Sequence, residues 1–135
     1  MKSKSLFIAL AAFVLGSVIM SFAVPQDQKK GGPWNVPAEY KSKKMPAGAD
    51  ATQGKALWSL HCKSCHGSNG LGDGPKAANL KTFPGNFKSA EFQGQADGVI
   101  YYQSFVGREE MPNYEKKIPD DEDRWNLVAF IRTLK

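Results

Sequence analysis

The sequence predicts an all-α domain whose long loops close around something large. Three observations carry this. Three segments repeat apolar residues with the helical period, no segment alternates with period two, and residues 67–95 form a Gly/Pro/Asn-rich loop. So long a loop in so small a domain needs a large body to lie against. The chain has 135 residues, 41% hydrophobic and 23% charged, which excludes wholesale disorder and a polytopic membrane protein. That length suits one ordinary domain and a short extension.

Residues 1–23 read as a secretory signal peptide. Lys2 and Lys4 form a positive start, Leu6 to Met20 is almost wholly apolar, and Ser21-Phe22-Ala23 offers a small-residue cleavage site. The alternative is an uncleaved anchor, since Ser5 to Val24 carries no charge and approaches the length of a membrane span. No Cys follows the apolar run, which argues against a lipoprotein anchor. On either reading the remainder is exported, to the periplasm or the outer face of the cytoplasmic membrane.

Residues 24–50 are rich in Pro, Gly and Lys and show no period, as expected of an extended leader or linker. Trp34 and Tyr40 are its large anchors, free to lie on the domain or on a partner. The formal charge of +5 divides into +2 for 1–23, +2 for 24–50 and +1 for 51–135. The excess therefore sits in the signal and the leader. With no basic stripe on a helix and no aromatic–basic interleaving, nucleic-acid binding is not expected.

The domain begins with a helix capped by Asp50, with Gln53 placed for a capping box. Gly54, Leu57, Trp58 and His61 follow on one face, and Gly54 suggests a close helix crossing where no side chain fits. A second helix spans about 97–106 and stops at Gly107. In the third, Asp120, Asp121, Glu122 and Asp123 crowd the first turn while Arg132 and Lys135 close the last, both suited to the helix dipole. Leu127, Phe130, Ile131 and Leu134 form one apolar stripe; Trp125, Val128 and Ala129 form another, so this helix is contacted on two sides.

The chemistry is carried by Cys62-Lys63-Ser64-Cys65-His66 at the end of the first helix. Cys-x-x-Cys-His is the attachment signature of haem c: two thiols add to the haem vinyl groups and the adjacent imidazole reaches the iron. One helical turn separates the cysteines, which brings both sulfurs to one porphyrin edge. Three other readings compete. A lone disulfide with a two-residue loop would do little for a chain of this size, and a thioredoxin-like pair lacks its βαβ setting. Zinc held by His61, Cys62, Cys65 and His66 would lack the usual ligand spacing. Both cysteines of the chain are used by haem, and no free thiol remains.

His66 is then the proximal ligand and His61 a surface or packing residue. Apart from Met1 and Met20 in the signal, the methionines are Met45 and Met111. Met45 lies in the leader, where ordering it on iron would cost entropy without help from packing. Met111 follows the second helix in a loop stiffened by Pro112, and is the favoured sixth ligand.

With these residues in place, residues 51–135 resemble class I, monohaem cytochrome c. Gly54 and Trp58 precede Cys62 at the family's intervals, and Leu127 and Phe130 match the pair that crosses them. The runs 67–75, 111–114 and 125–128 look like c-type cytochrome domains of bacterial respiratory chains. The resemblance implies the small cytochrome c fold, with N- and C-terminal helices crossing and loops wrapped around one covalent haem c. It also implies that Met111 is the axial methionine and that Pro75, in Gly74-Pro75, offers its carbonyl to the His66 Nδ1. The implied protein is not an enzyme but an electron carrier in a respiratory chain, a monomer exchanging electrons with donor and acceptor proteins. Two alternatives stay open: a haem subunit of a larger membrane-bound oxidoreductase complex, and a sensor or enzyme with an open sixth position.

Overall fold

A computed structural model of the chain describes residues 29–135. The expected signal at 1–23 and the start of the leader lie outside the described residues. Among the described residues six α-helices follow one another: α1 (Ala38–Lys41), α2 (Ala51–Leu57), α3 (Lys63–His66), α4 (Ala90–Gln93), α5 (Asp97–Val106) and α6 (Asp121–Thr133). Among the described residues, β pairing is confined to two isolated bridges, Lys29 with Thr82 and Arg108 with Met111. The class is all-α, as expected.

The fold turns on the crossing of α2 and α6. A Cβ at Gly54 would overlap the backbone carbonyl of Asn126 and lie 2.9 Å from the Phe130 Cβ, so glycine is what lets the two backbones meet. Asp50 caps α2 by accepting from the Thr52 N–H at 2.7 Å. The reciprocal bond expected from Gln53 is made across the crossing instead: the Asp50 N–H donates to Asn126 Oδ1 at 2.7 Å. Asn126 is buried, and this bond satisfies its carbonyl oxygen. The start of one helix is thus tied to the middle of another.

Both apolar stripes of α6 are buried. Leu127, Phe130, Ile131 and Leu134 join Trp58 in the core, and Trp125 meets Tyr101 of α5 with ring centroids 4.4 Å apart. α5 ends at Gly107, whose φ of +69° suits a residue without a side chain. Arg132 does more than face the helix dipole. Its guanidinium donates to the Gln93 and Gln95 carbonyls at 2.6 Å and pairs with Asp97 at 2.7 Å, fastening α6 to the turn between α4 and α5.

Residues 29–50, expected as an extended leader or linker, touch the domain at intervals. Val36 is buried, and the Tyr40 ring packs against Tyr101, Tyr102 and Phe105. A Cβ at Gly98 would overlap the Tyr40 carbonyl, so α1 and the first turn of α5 touch through backbone. These anchors are too widely spaced to leave a period in the sequence.

Candidate cofactor site

Between α2 and α3 the helix widens into a π-helical stretch, Trp58–Cys62, and α3 then ends at His66. Single π turns inside α-helices are frequent at functional sites, because they re-aim the side chains that follow. Trp58 links this segment to the crossing. It is 2% exposed, its ring lies 5.7 Å from Phe130 and 5.7 Å from His66, and its Nε1 donates to the Gly67 carbonyl at 3.0 Å.

The loop after His66 folds back along α3. N–H groups of Gly72, Gly74 and Lys76 donate to the carbonyls of His66, Cys65 and Ser64 at 2.9, 3.1 and 2.8 Å. Carbonyls that a helix end leaves unpaired are thereby satisfied by every second residue of the loop. Gly74 permits the approach: a Cβ there would stand 2.5 Å from the Ser64 carbonyl oxygen. Its chemistry is that of a backbone clamp on the Cys-x-x-Cys-His segment.

This arrangement leaves Pro75, expected beside His66, apart from that ring. Pro75 is exposed, flanked by the two clamping N–H groups of Gly74 and Lys76, and is not part of the wall around His66. The backbone group that acts on the His66 ring is the carbonyl of Pro84, in a later part of the loop. His66 Nδ1 is wholly buried and has no hydrogen-bond partner of ordinary geometry. Phe87 stands 4.7 Å from the imidazole and stacks on Phe92 at 4.1 Å, so the ring is held between aromatic neighbours. Burial pulls the imidazole down to about 4, which keeps it neutral and able to donate a lone pair at physiological pH.

Cys62, Cys65 and His66 open onto a cavity of about 1040 Å³. That is at the upper end of the ~300–1,000 Å³ usual for small-molecule pockets, larger than a pair of thiols or one ion requires. Trp58, Ile100, Leu127 and Ile131 form part of its apolar wall, and Met111 lines it too. Met45 packs against the helical core and is absent from the cavity wall. His61 does line the cavity, and its carbonyl accepts from the Tyr114 hydroxyl at 2.9 Å.

The competing readings of the two cysteines fare poorly in this setting. Burial, together with the neighbouring Cys65, pushes the Cys62 thiol up to about 12. A thioredoxin-like pair depends on a lowered thiol, so the environment is the reverse of what that chemistry needs. Among the described residues no three His, Cys, Asp or Glu side chains converge as a group to hold an ion, which removes the zinc arrangement. A large apolar cavity, two thiols one turn apart at its wall and a neutral imidazole beside them fit haem c. Cys62 and Cys65 would carry the thioethers and His66 the iron.

Sequence reasoning missed Pro84, Phe87 and the contribution of residues 30–34 and Val36 to the cavity wall. The signal was present in part. Phe83, Phe87 and Phe92 give the segment read as loop more aromatic surface than a solvated connection would carry, and Pro84-Gly85 repeats the Pro/Gly pattern of 74–75.

The family model described as Cytochrome c matches residues 51–135. No curated protein matches the chain.

Proposed function

The chain belongs to the cytochrome c family, with a covalently bound haem c and a role in electron transfer, and from that premise we propose an exported, monomeric electron carrier of a respiratory chain. His66 and Met111 serve as its two axial ligands. The observation that carries the ligand assignment is that Met111, and not Met45, lines the cavity that holds His66 and both cysteines.

Bound haem supplies one-electron chemistry at its iron, and methionine with histidine raises the potential of that couple. The protein's own residues do the rest. Cys62 and Cys65 fix the group to the end of the helix, and the loop clamp of Gly72, Gly74 and Lys76 holds that end still. Trp58 and Phe87 fix the plane of the His66 ring, so little has to move when an electron arrives or leaves. Apolar residues of α5 and α6 keep water from the site. Nothing here calls for bond making on a substrate, and we read the protein as a carrier rather than an enzyme.

Export to the periplasm or the outer face of the cytoplasmic membrane follows from the signal-like sequence at 1–23 and agrees with the family's usual location. Among the described residues no helix is long and apolar enough to cross a membrane. The donor and acceptor are redox proteins. In a fixed subunit of a larger complex, the alternative reading, Trp34 would be free to dock outward; the Arg108 guanidinium lies 4.1 Å from the Trp34 ring centroid, which gives that ring a partner within the chain.

A visible spectrum of the mature protein, oxidised and reduced, with a pyridine haemochrome, tests this reading. Two thioether bonds and a low-spin ferric form with the long-wavelength charge-transfer band of methionine ligation are expected, the band vanishing in Met111→Ala. A high-spin wild type that binds carbon monoxide rapidly when reduced would refute the ligand pair.

A further inference from the structure

The loop carrying Met111 is held from two sides by parts of the chain that are remote in sequence. Gly107 closes its base: a Cβ there would overlap the Met111 and Pro112 carbonyls. Inside the loop, the Met111 N–H donates to the Arg108 carbonyl at 2.8 Å. On one side the Glu110 carboxylate accepts from the backbone N–H groups of Lys81 and Thr82 at 2.8 and 2.9 Å. On the other side the Arg108 side chain donates to the Gly32 carbonyl and covers the Trp34 ring. A Cβ at Gly31 would lie 2.8 Å from Arg108 Nη2, so the strap runs against the guanidinium with no room to spare.

The circle is closed by Lys29. Its N–H donates to the Lys81 carbonyl and its carbonyl accepts from the Phe83 N–H, each at 3.1 Å. Residues 29–34 therefore grip both the Met111 loop and the segment on which that loop leans. They lie outside the region matched by the family, 51–135.

We propose that residues 29–34 form a strap that positions Met111, and that Arg108, stacked on Trp34 and bonded to Gly32, is the positioning residue through which it acts. This rests on Met111 being the sixth ligand. Arg108 touches the strap and shares the Met111 loop, whereas Met111 is the group that meets the iron. Removing the strap contact frees the loop to leave while Cys62, Cys65 and His66 keep the haem attached.

The test uses the mature holoprotein and imidazole as the probe, since imidazole binds where the methionine has left. Arg108→Gln and Trp34→Ala are expected to raise imidazole affinity about tenfold, equivalent to ~1.4 kcal/mol, with the pyridine haemochrome unchanged. The ferric methionine band weakens in both, and Trp34→Phe restores it. Tyr40→Ala is the control: it loosens α1 from α5, lowers Tm, and leaves imidazole affinity at the wild-type value. Wild-type imidazole affinity and full band intensity in Arg108→Gln and Trp34→Ala would overturn the strap while sparing the ligand pair. A rise in affinity that simply follows Tm in all three variants would also overturn it. A wild type lacking the methionine band would remove the ligand pair, and the strap with it.

Discussion

At the crossing of α2 and α6, Val128 is 0% exposed, Leu127 1% and Trp58 2%, and backbone meets backbone at Gly54. Around the loops that line the cavity the picture differs. Met111, Phe83, Pro84, Phe87 and Arg108 are all only half-buried, and the ties are one or two hydrogen bonds each, accepted by a carboxylate or donated by a guanidinium or the backbone. Close packing stabilises the helical side, because each buried side chain removes apolar area from water. The loop side gains little from such burial and depends on what fills the cavity. The difference separates two parts: one half carries the Cys-x-x-Cys-His segment, the other carries the loop of Met111, the ligand we propose.

The largest expected effect breaks the dependence on the cavity's contents. Cys62→Ser with Cys65→Ser removes covalent attachment, and amide hydrogen exchange is expected to lose protection throughout 67–95 and 107–112 while α6 keeps part of its own. Undiminished thermal stability and full loop protection in that variant would erase the contrast. Next comes the helical side. Trp58→Ala should cost ~3–5 kcal/mol in denaturant unfolding, since it empties the space between Phe130, Phe87 and His66. Gly54→Ala should cost about 3 kcal/mol, because the methyl group meets a backbone carbonyl that has no rotamer to escape into.

Acid acts where the two sides meet, at the end of α3. His66 titrates near 4 when folded and near 6.5 when free, so from 6.5 down to 4 the unfolded chain takes up a proton that the folded chain refuses. Stability is therefore fully present above pH 6.5 and declines as pH falls through that window. Coordination to iron adds an effect of the same sign, because metal and proton compete for one nitrogen. Denaturant titrations between pH 7 and 4 measure the slope; a flat profile contradicts the burial of the ring. At the small end, Lys30→Gln removes the exposed pair with Glu91, side chains 81% and 78% accessible, and should leave Tm unchanged.

How much of this could be read from sequence follows the same division. Short-range information sufficed for the helical side: Asp50 as a cap, Gly54 as a crossing point, Gly107 as a stop and the two stripes of α6 each announce themselves within a few residues. So did Cys62, Cys65 and His66, whose chemistry needs them adjacent. The loop side was less legible because its contacts join residues far apart in the chain. Nothing local distinguishes Pro84 from Pro75 as the carbonyl beside His66, or shows that Gly74 serves to approach α3 rather than to present Pro75. Trp34 could have faced outward or inward until Arg108, 74 positions later, was found beneath it.

The bridge between Lys29 and Thr82 has a practical side for anyone building fusions of this protein. Lys30 already belongs to the cavity wall, so a reporter or electrode linker joined just ahead of residue 29 would be delivered to the edge of the cavity. Lys135 is exposed and takes no part in that wall, so a label placed after it leaves the rim clear. The two attachment points offer a choice: a label beside the cavity wall, or one that takes no part in it.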